Sequence, residues 1–342
     1  MVATFLAALS ILPIPGWSVS APALAREYAP VVIQQMRASG SNRTQDLPVA
    51  FDFDGDWDMR NNWKDEPRDT PHATPVVYYA AMATKERAYL TYYLFYPRDW
   101  DRVCLPFMCH ENDFEQLTVA VDNDGTERGR PLLMDVKYHL GDVAYPLPGS
   151  GAVPLERTAG ALTLSSDGRP VVHVEWGGHG ITSCDQDGDG ELDLDCARPG
   201  QALILEPEAA ATFAVDGPAP HRRYDLRDLH DTLWQHREAG SGLWTSAAFA
   251  YAGARLGRLG EKLGVSFGGS GGGARAPWGI RTKLGLHKGD QFFDPALALA
   301  ARWRLPGGED ALPYVEDPYL ADLKRECAGQ TCGQASVVAS SR

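Results

Sequence analysis

The chain lacks an excess of basic side chains, and beyond its N-terminus it lacks long apolar runs. It has 32 Lys and Arg against 45 Asp and Glu, a formal net charge of −13 at pH 7. This balance argues against a nucleic-acid binder that neutralises phosphates, and against electrostatic docking on anionic lipid. After residue 25 no segment approaches the roughly 20 apolar residues of a membrane span.

Several chemical motifs are also missing. No C-x-x-C pair is present, which disfavours a zinc site built on cysteine. Ser266 and Ser270 have no G-x-S-x-G context, so a serine hydrolase is unsupported. The glycine run 268–273 does not end in G-K-[ST], so it is not a phosphate-binding loop.

The composition that is present predicts a folded, mainly β protein. Hydrophobic residues make up 44% of the chain, enough for a sizeable core, and 35 Gly with 24 Pro indicate many turns. We predict an antiparallel β-sandwich decorated with several α-helices and long loops. The predicted strands are 75–83, 88–96, 115–121, 132–140, 160–164, 171–176 and 202–205. The predicted helices are 25–36, 226–237, 295–303 (capped by Asp294) and 318–327.

The N-terminus is typical of an exported protein. Residues 1–25 carry no charge, are mostly apolar from Val2 to Leu12, and end in the small residues of Ala23-Leu24-Ala25. We therefore expect a signal peptide over 1–25 and secretion, either extracellular or periplasmic. One domain would span 26–332, followed by a flexible tail over 333–342.

The six cysteines form three close pairs, which favours disulfides in an oxidising compartment. Each pair brackets a short loop, so local pairing is the simplest of the 15 connectivities. The pairs are Cys104 with Cys109, Cys184 with Cys196, and Cys327 with Cys332.

The acidity is concentrated in three windows. Residues 51–70 and 99–115 each carry a net charge of −4, and residues 184–196 carry −6. The rest of the chain is close to neutral, which raises the question of what three carboxylate clusters do.

The middle window contains the most informative pattern. Asp113 and Glu115 are two residues apart, so on a strand both side chains point to one face. His110 precedes them, and Asp99 ends the aromatic strand before them. A solvated acidic hairpin would also explain this pattern. One imidazole among several carboxylates suits Mg²⁺, Mn²⁺ or Ca²⁺, however, and charge at the rim of an apolar strand face is costly unless paired or metal-bound.

This pattern, Pro97-Arg98-Asp99 followed by H-x-x-D-x-E, resembles the necrosis-inducing, ethylene-inducing-peptide-like proteins, whose hallmark is G-H-R-H-D-W-E. The resemblance implies a β-sandwich and a divalent cation held by Asp99, His110, Asp113 and Glu115. It also implies binding of lipid headgroup sugars. Residues 111–112 read Glu-Asn where the family has Arg-His, and we infer a bacterial-type offshoot with an H-E-N-D-x-E signature.

Residues 171–180 carry a second resemblance, to that family and to plant vacuolar-sorting-related proteins. There a histidine approaches the metal pocket, and the matching residue is His179. His173 and Glu175 would share one strand face nearby, as an acid/base pair or as a structural pair.

The third window begins like a calcium loop, with acids at positions 1, 3 and 5, Gly at 6 and Asp at 9. It resembles the loops of thrombospondin-type repeats, and we expect structural Ca²⁺ there rather than an acidic turn. The expected ligands are Asp185, Asp187, Asp189, Asp193 and Asp195. In the first window, Asp54 and Asp56 around Gly55 fit a cation-binding turn and an exposed acidic loop equally well.

Three functions remain open. The first is a secreted binder of a glycan or lipid headgroup, with a membrane surface as a further partner because bound cations would reduce the negative charge. The second is a metal-dependent hydrolase of lipid or glycan, with His179, Glu111 or His173 as general acid or base. In the third the metal only stabilises the fold.

Overall fold

The computed structural model describes residues 16–37, 46–62, 74–100, 109–138, 141–155, 158–185, 196, 202–213, 219–237, 274, 276–278, 288–308 and 314–328. The protein is mainly β, as the sequence predicts. The first seven strands are β1 (Val31–Gln35), β2 (Val76–Ala83), β3 (Arg87–Asp99), β4 (His110–Asp122), β5 (Arg130–Tyr138), β6 (Gly141–Pro146) and β7 (Val153–Pro154). They are followed by β8 (Thr163–Leu164), β9 (Pro170–Val174), β10 (Ile181–Ser183), β11 (Ala202–Pro207), β12 (His221–Asp228) and β13 (Trp303–Arg304).

The sheet is mixed and curls into a half-barrel, so the predicted antiparallel sandwich is not confirmed. Its strand order is β10-β9-β1-β11-β12-β2-β3-β4-β5-β6, with β8 beside β9. The pairs β1–β9, β11–β12 and β12–β2 are parallel. Alternating apolar residues indicate a strand but not its direction, and parallel neighbours need long crossover connections.

Two predicted helices are wrong because strands take part of their residues. The predicted helix 25–36 is instead α1 (Ala21–Glu27) followed by strand β1. The predicted helix 226–237 is the end of β12 followed by a 3₁₀ helix over Leu233–His236. Both segments carry apolar residues that fit either period over a short stretch.

The two predicted C-terminal helices are confirmed as α3 (Pro295–Ala300), which is shorter than predicted, and α4 (Pro318–Ala328). A further helix, which is not predicted from the sequence, is α2 (Lys288–Phe293). The Asp294 side chain accepts the Leu297 N–H at 3.2 Å, which is the predicted cap. Among the described residues, no helix is both long and apolar enough to cross a membrane.

The first described residues, 16–25, contribute to the main core. Ala21, Leu24 and Ala25 of α1 are buried in the main apolar cluster, and Trp17 Nε1 donates to the Thr84 carbonyl at 3.1 Å. Residues 1–15 and the predicted tail 333–342 lie outside the described residues.

The long hairpin β3–β4 is the centre of the sheet, and its two faces are both covered. Leu117, Val119 and Val121 face the main core, while Ala120 packs with Leu299 and other residues of the C-terminal segment. Asp113 and Glu115 therefore begin the same face of β4 that continues into the main core, as the alternation predicts.

Candidate metal centre

The pairing of β3 with β4 places the expected ligands opposite one another. Asp99 is the register partner of His110, and Tyr96 is the register partner of Asp113. Ligand atoms of Asp99, His110 and Asp113 all lie within 4.8 Å of one another. This span fits one cation, because two Ca²⁺–oxygen bonds add to roughly 4.6–5.2 Å.

The backbone conformation of Asn112 explains how residues three apart meet. In a regular strand, His110 and Asp113 would point to opposite faces. Asn112 has φ +62°, in the left-handed region, and this break in the extended backbone accompanies the approach of the two side chains.

A hydrogen bond to the backbone orients the imidazole of His110. Its Nδ1 lies 3.0 Å from the carbonyl oxygen of Glu111, which can only accept, so Nδ1 carries the proton. Nε2 then faces the Asp99 carboxylate at 3.4 Å. When the imidazole is neutral, Nε2 and the Asp99 carboxylate can each only accept a hydrogen bond. A cation between these two groups would bind to both.

Glu115 lies on the same face, but it is not part of the three-residue cluster. Asp113 and Glu115 are each 7% exposed. Burial raises the pKa of Tyr96, and the charges of Asp113, Glu115 and Asp46 raise it further, so these carboxylates surround one aromatic ring.

His179 lies behind the cluster and is fully buried. Its Nδ1 is 3.0 Å from Asp113 Oδ2, its Nε2 is 3.6 Å from Asp46 Oδ1, and its ring stacks on Tyr96 at 3.7 Å. Burial alone would lower its pKa, but hydrogen bonds and charge from Asp113 and Asp46 raise it to about 9. The raised pKa favours the imidazolium form, which pairs with the Asp113 carboxylate and helps to hold it in place.

Asp46 is a residue of the site that no sequence pattern indicates. It is fully buried and accepts the N–H of Gly177 at 2.9 Å and of Arg37 at 3.1 Å. Asp46 therefore fixes the segment that carries His179. No motif or spacing links Asp46 to Asp113, because the two side chains approach the same residue, His179, only in the folded sheet.

The segment 175–180 closes one side of the centre. The Trp100 N–H donates to the Gly177 carbonyl at 3.0 Å, and Gly177 has φ +82°. A Cβ at Gly177 would collide with the Trp100 carbonyl, so a side chain does not fit there. Trp176 stands beside Trp100, with ring centroids 5.7 Å apart, and provides a partly exposed aromatic edge.

The other expected acid/base residues lie differently. Glu111 is partly exposed, and its register partner across the hairpin is Arg98. His173 lies on β9 with its Nδ1 3.5 Å from Thr182 Oγ1, and burial lowers its pKa. Among the described contacts, none joins His173 to the three-residue cluster.

The Cys184–Cys196 disulfide is confirmed and closes the predicted calcium loop. Asp185 is fully buried, whereas Asp187, Asp189, Asp193 and Asp195 lie outside the described residues. Cys109 is disulfide-bonded. Its expected partner Cys104 is outside the described residues, as is Cys332, the expected partner of Cys327.

The acidic segment 52–58 is a turn, as Gly55 predicts. The Gly55 N–H donates to the Asp52 carbonyl at 2.9 Å, and Asp58 pairs with Arg60. Within the described part of the chain, it forms no cluster of three ligands within reach of one ion.

The fold and site define a mainly β protein with a candidate divalent-cation centre of carboxylates and one imidazole. No protein-family model matches the sequence, and no curated protein matches it. The solved structures that it resembles are necrosis- and ethylene-inducing proteins, the family that the motif indicates. The resemblance to vacuolar-sorting-related proteins and the H-E-N-D-x-E signature stay predictions.

Three of these structures show the extent of the likeness. Necrosis and ethylene inducing protein 2, from the causal agent of cocoa's witches' broom disease, is 17% identical, with a TM-score of 0.30 over 53% of this chain and 74% of that one. NLPPya in complex with mannosamine is 15% identical, with a TM-score of 0.31 over 55% and 80%. HaNLP3, described as non-toxic, is 14% identical, with a TM-score of 0.30 over 54% and 79%. At this level the likeness carries nothing about the site, whose chemistry follows from its own residues.

Proposed function

We propose that the protein is an exported, cation-dependent glycan-binding protein. The observation that carries the proposal is the convergence of Asp99, His110 and Asp113 within 4.8 Å. Glu115, buried on the same face, would complete the set. Carboxylate oxygens with one imidazole suit Ca²⁺, Mg²⁺ or Mn²⁺.

The exposure of the ligands supports binding from one side. The side chains of Asp99 and His110 are 18% and 17% exposed, while His179 behind them is not exposed at all. A cation held here would be shielded at the back and open at the front. Sugar hydroxyls are hard oxygen ligands and would occupy the open positions.

The alternative hydrolase has less support. The His179 side chain is fully buried behind Asp113, so it lacks the access to substrate that proton abstraction needs. Glu111 is the remaining acid/base candidate near the centre.

A lipid headgroup bearing sugar hydroxyls would be bound by the same chemistry as a free glycan.

Export is supported by the Cys184–Cys196 disulfide, because disulfides persist mainly in oxidising compartments. We also propose that Ca²⁺ occupies the loop that this disulfide closes. The protein would then hold one functional ion and one structural ion.

The test measures cation and sugar binding in matched variants. Mn²⁺ binding is followed by electron paramagnetic resonance, and glucosamine and mannosamine, the ligands of two similar structures, serve as first sugars in calorimetry. Asp113→Ala/Glu115→Ala should lose one ion and all sugar binding, while Asp124→Asn, on the exposed β4–β5 turn, should match the unsubstituted protein.

Each outcome has a distinct meaning. Equal ion content in the double variant would overturn the metal centre. Ion loss without a change in sugar binding would overturn the cation-dependent function. Release of product from glycan or lipid would favour the hydrolase.

A further inference from the structure

Strand β4, which carries the candidate ligands His110 and Asp113, is held at Asn112 by residues 59–62. Asn112 is 3% exposed, and its Nδ2 donates to the Met59 carbonyl at 2.6 Å. Its Oδ1 accepts from Asn62 Nδ2, also at 2.6 Å. Both ends of this buried amide are therefore hydrogen-bonded to residues 59–62.

Asn62 contacts both strands of the hairpin. Its carbonyl accepts from Arg98 Nε on β3 at 3.0 Å, and its side chain donates to Asn112 on β4. These contacts lie next to Asp99 on one strand, and between His110 and Asp113 on the other. Asn62 thus fixes the separation of the strands at the point where the expected ligands face one another.

The residue type at 112 matches this arrangement. A left-handed backbone costs most L-residues about 1–2 kcal/mol, and Asn is among the few that adopt it routinely. Glycine would allow the left-handed backbone conformation but has no side-chain amide. Aspartate would lack the N–H group that donates to the Met59 carbonyl. Asparagine supplies the left-handed conformation, the donor and the acceptor together.

We infer that Asn112, held by Asn62 and the Met59 carbonyl, is the positioning residue that brings His110 and Asp113 to one point. This inference rests on the proposed function, since it assigns a role toward the cation of that same site. It also makes segment 59–62 a structural support of the cation centre, so that cation affinity depends on residues that do not touch the ion.

The experiment compares four variants of the full chain: Asn112→Ala, Asn112→Gly, Asn62→Ala and the control Asn61→Ala. Asn61 is the neighbour of Asn62 but bonds to Asp56 instead. Mn²⁺ affinity is measured by electron paramagnetic resonance, and stability by urea unfolding in EDTA.

Asn112→Ala should weaken Mn²⁺ binding by about tenfold or more, as loss of a supporting residue around a metal does. Asn112→Gly should lose less, because the left-handed backbone is retained, and it keeps the test valid if the alanine variant does not fold. Asn62→Ala should weaken binding in the same direction, and Asn61→Ala should bind as the unsubstituted protein does.

Three results would overturn the inference. Unchanged Mn²⁺ affinity in Asn112→Gly and Asn62→Ala, with only the urea midpoint lowered, would make Asn112 a purely structural residue. An equal loss in Asn61→Ala would assign the effect to the acidic segment. No Mn²⁺ binding by the unsubstituted protein would overturn the proposed function, and this inference with it.

Discussion

At the residue scale, the candidate site includes two residues whose backbone adopts the left-handed conformation. Asn112 and His179 are the non-glycine residues with positive φ in the described part of the chain, at +62° and +54°. Both contact or adjoin Asp113. Sparsely populated backbone conformations often occur at functional sites, where the surrounding contacts maintain them.

The candidate ligands could be predicted because they are close in sequence, whereas the residues that position them could not. The two-residue spacing of Asp113 and Glu115 on a strand identifies a shared face, and His110 closely precedes them in the sequence. The positive φ of Asn112 and the buried position of Asp46 depend on contacts with distant segments. Those contacts leave no pattern in the sequence.

Asp317, at the start of α4, should make stability depend on pH. Its carboxylate accepts the Leu320 N–H, but burial raises its pKa to about 7. The folded state therefore holds a proton that the unfolded state, with a pKa near 3.9, has released. The contribution of Asp317 to stability is complete below about pH 4 and is lost as pH rises to about 7.

Asp317→Asn removes this dependence, because asparagine also caps helices and does not titrate. Its free energy of unfolding relative to the unsubstituted protein should rise between pH 4 and 7, by at most about 1.4 kcal/mol per pH unit. Urea unfolding across this range measures the difference. The control Asp124→Asn should show no trend between about pH 5 and 7, because hydrogen bonds to Thr126 lower the pKa of Asp124 and its carboxyl is ionised in both the folded and the unfolded state there. A flat Asp317→Asn difference would contradict the prediction.

At the element scale, the C-terminal helices are attached to the sheet by a buried ion pair. Arg302, just after α3, pairs with Asp135 on β5 and with Asp142 on β6 at 2.8 Å. Trp303 Nε1 donates to the same Asp135 at 3.0 Å. Burial raises the pKa of Asp135, and the charge of Arg302 counteracts this.

Arg302→Ala should destabilise the fold by about 3–5 kcal/mol, because it leaves Asp135 buried without its charge partner. Chemical denaturation gives the free energy of unfolding. Arg304→Ala removes an exposed arginine two residues away and should change stability by less than about 0.5 kcal/mol. Similar values for the two variants would mean that the pair does not hold the helices to the sheet.

Helix α1 makes a second element-scale prediction. Leu24 is 1% exposed in the main core, so Leu24→Ala should cost about 2–5 kcal/mol, while the exposed control Arg26→Ala should cost under about 1 kcal/mol. A chain that began at Arg26 would also lose Trp17, Ala21 and Ala25 from the core. It should therefore unfold at lower urea than one that began at Gly16, and equal midpoints would show that α1 adds nothing.

At the scale of the whole molecule, the strands were predictable and their arrangement was not. Runs such as Val76–Ala83 show their β character through β-branched and aromatic residues. The parallel pairing of β12 with β2 depends on where long connections return the chain. The curl that brings His179 to Asp113 is a property of the complete sheet.

Removal of cations should destabilise the molecule through the carboxylate cluster. EDTA should lower the Tm of the unsubstituted protein, because a ligand that binds only the folded state stabilises it. The shift should be smaller in Asp113→Ala/Glu115→Ala, and the remainder would belong to the calcium loop. Identical shifts in differential scanning calorimetry would contradict a cation at the central site.

The placement of the candidate ligands on one hairpin bears on the order in which the site assembles. Asp99, His110 and Asp113 come from two strands that are neighbours in sequence, so a short closure brings them together, and contacts between near neighbours form quickly. His179 and Asp46 join only when distant strands have paired. We therefore expect folding to bring Asp99, His110 and Asp113 together before His179 is added behind them, so that the complete cation centre exists only in the folded chain.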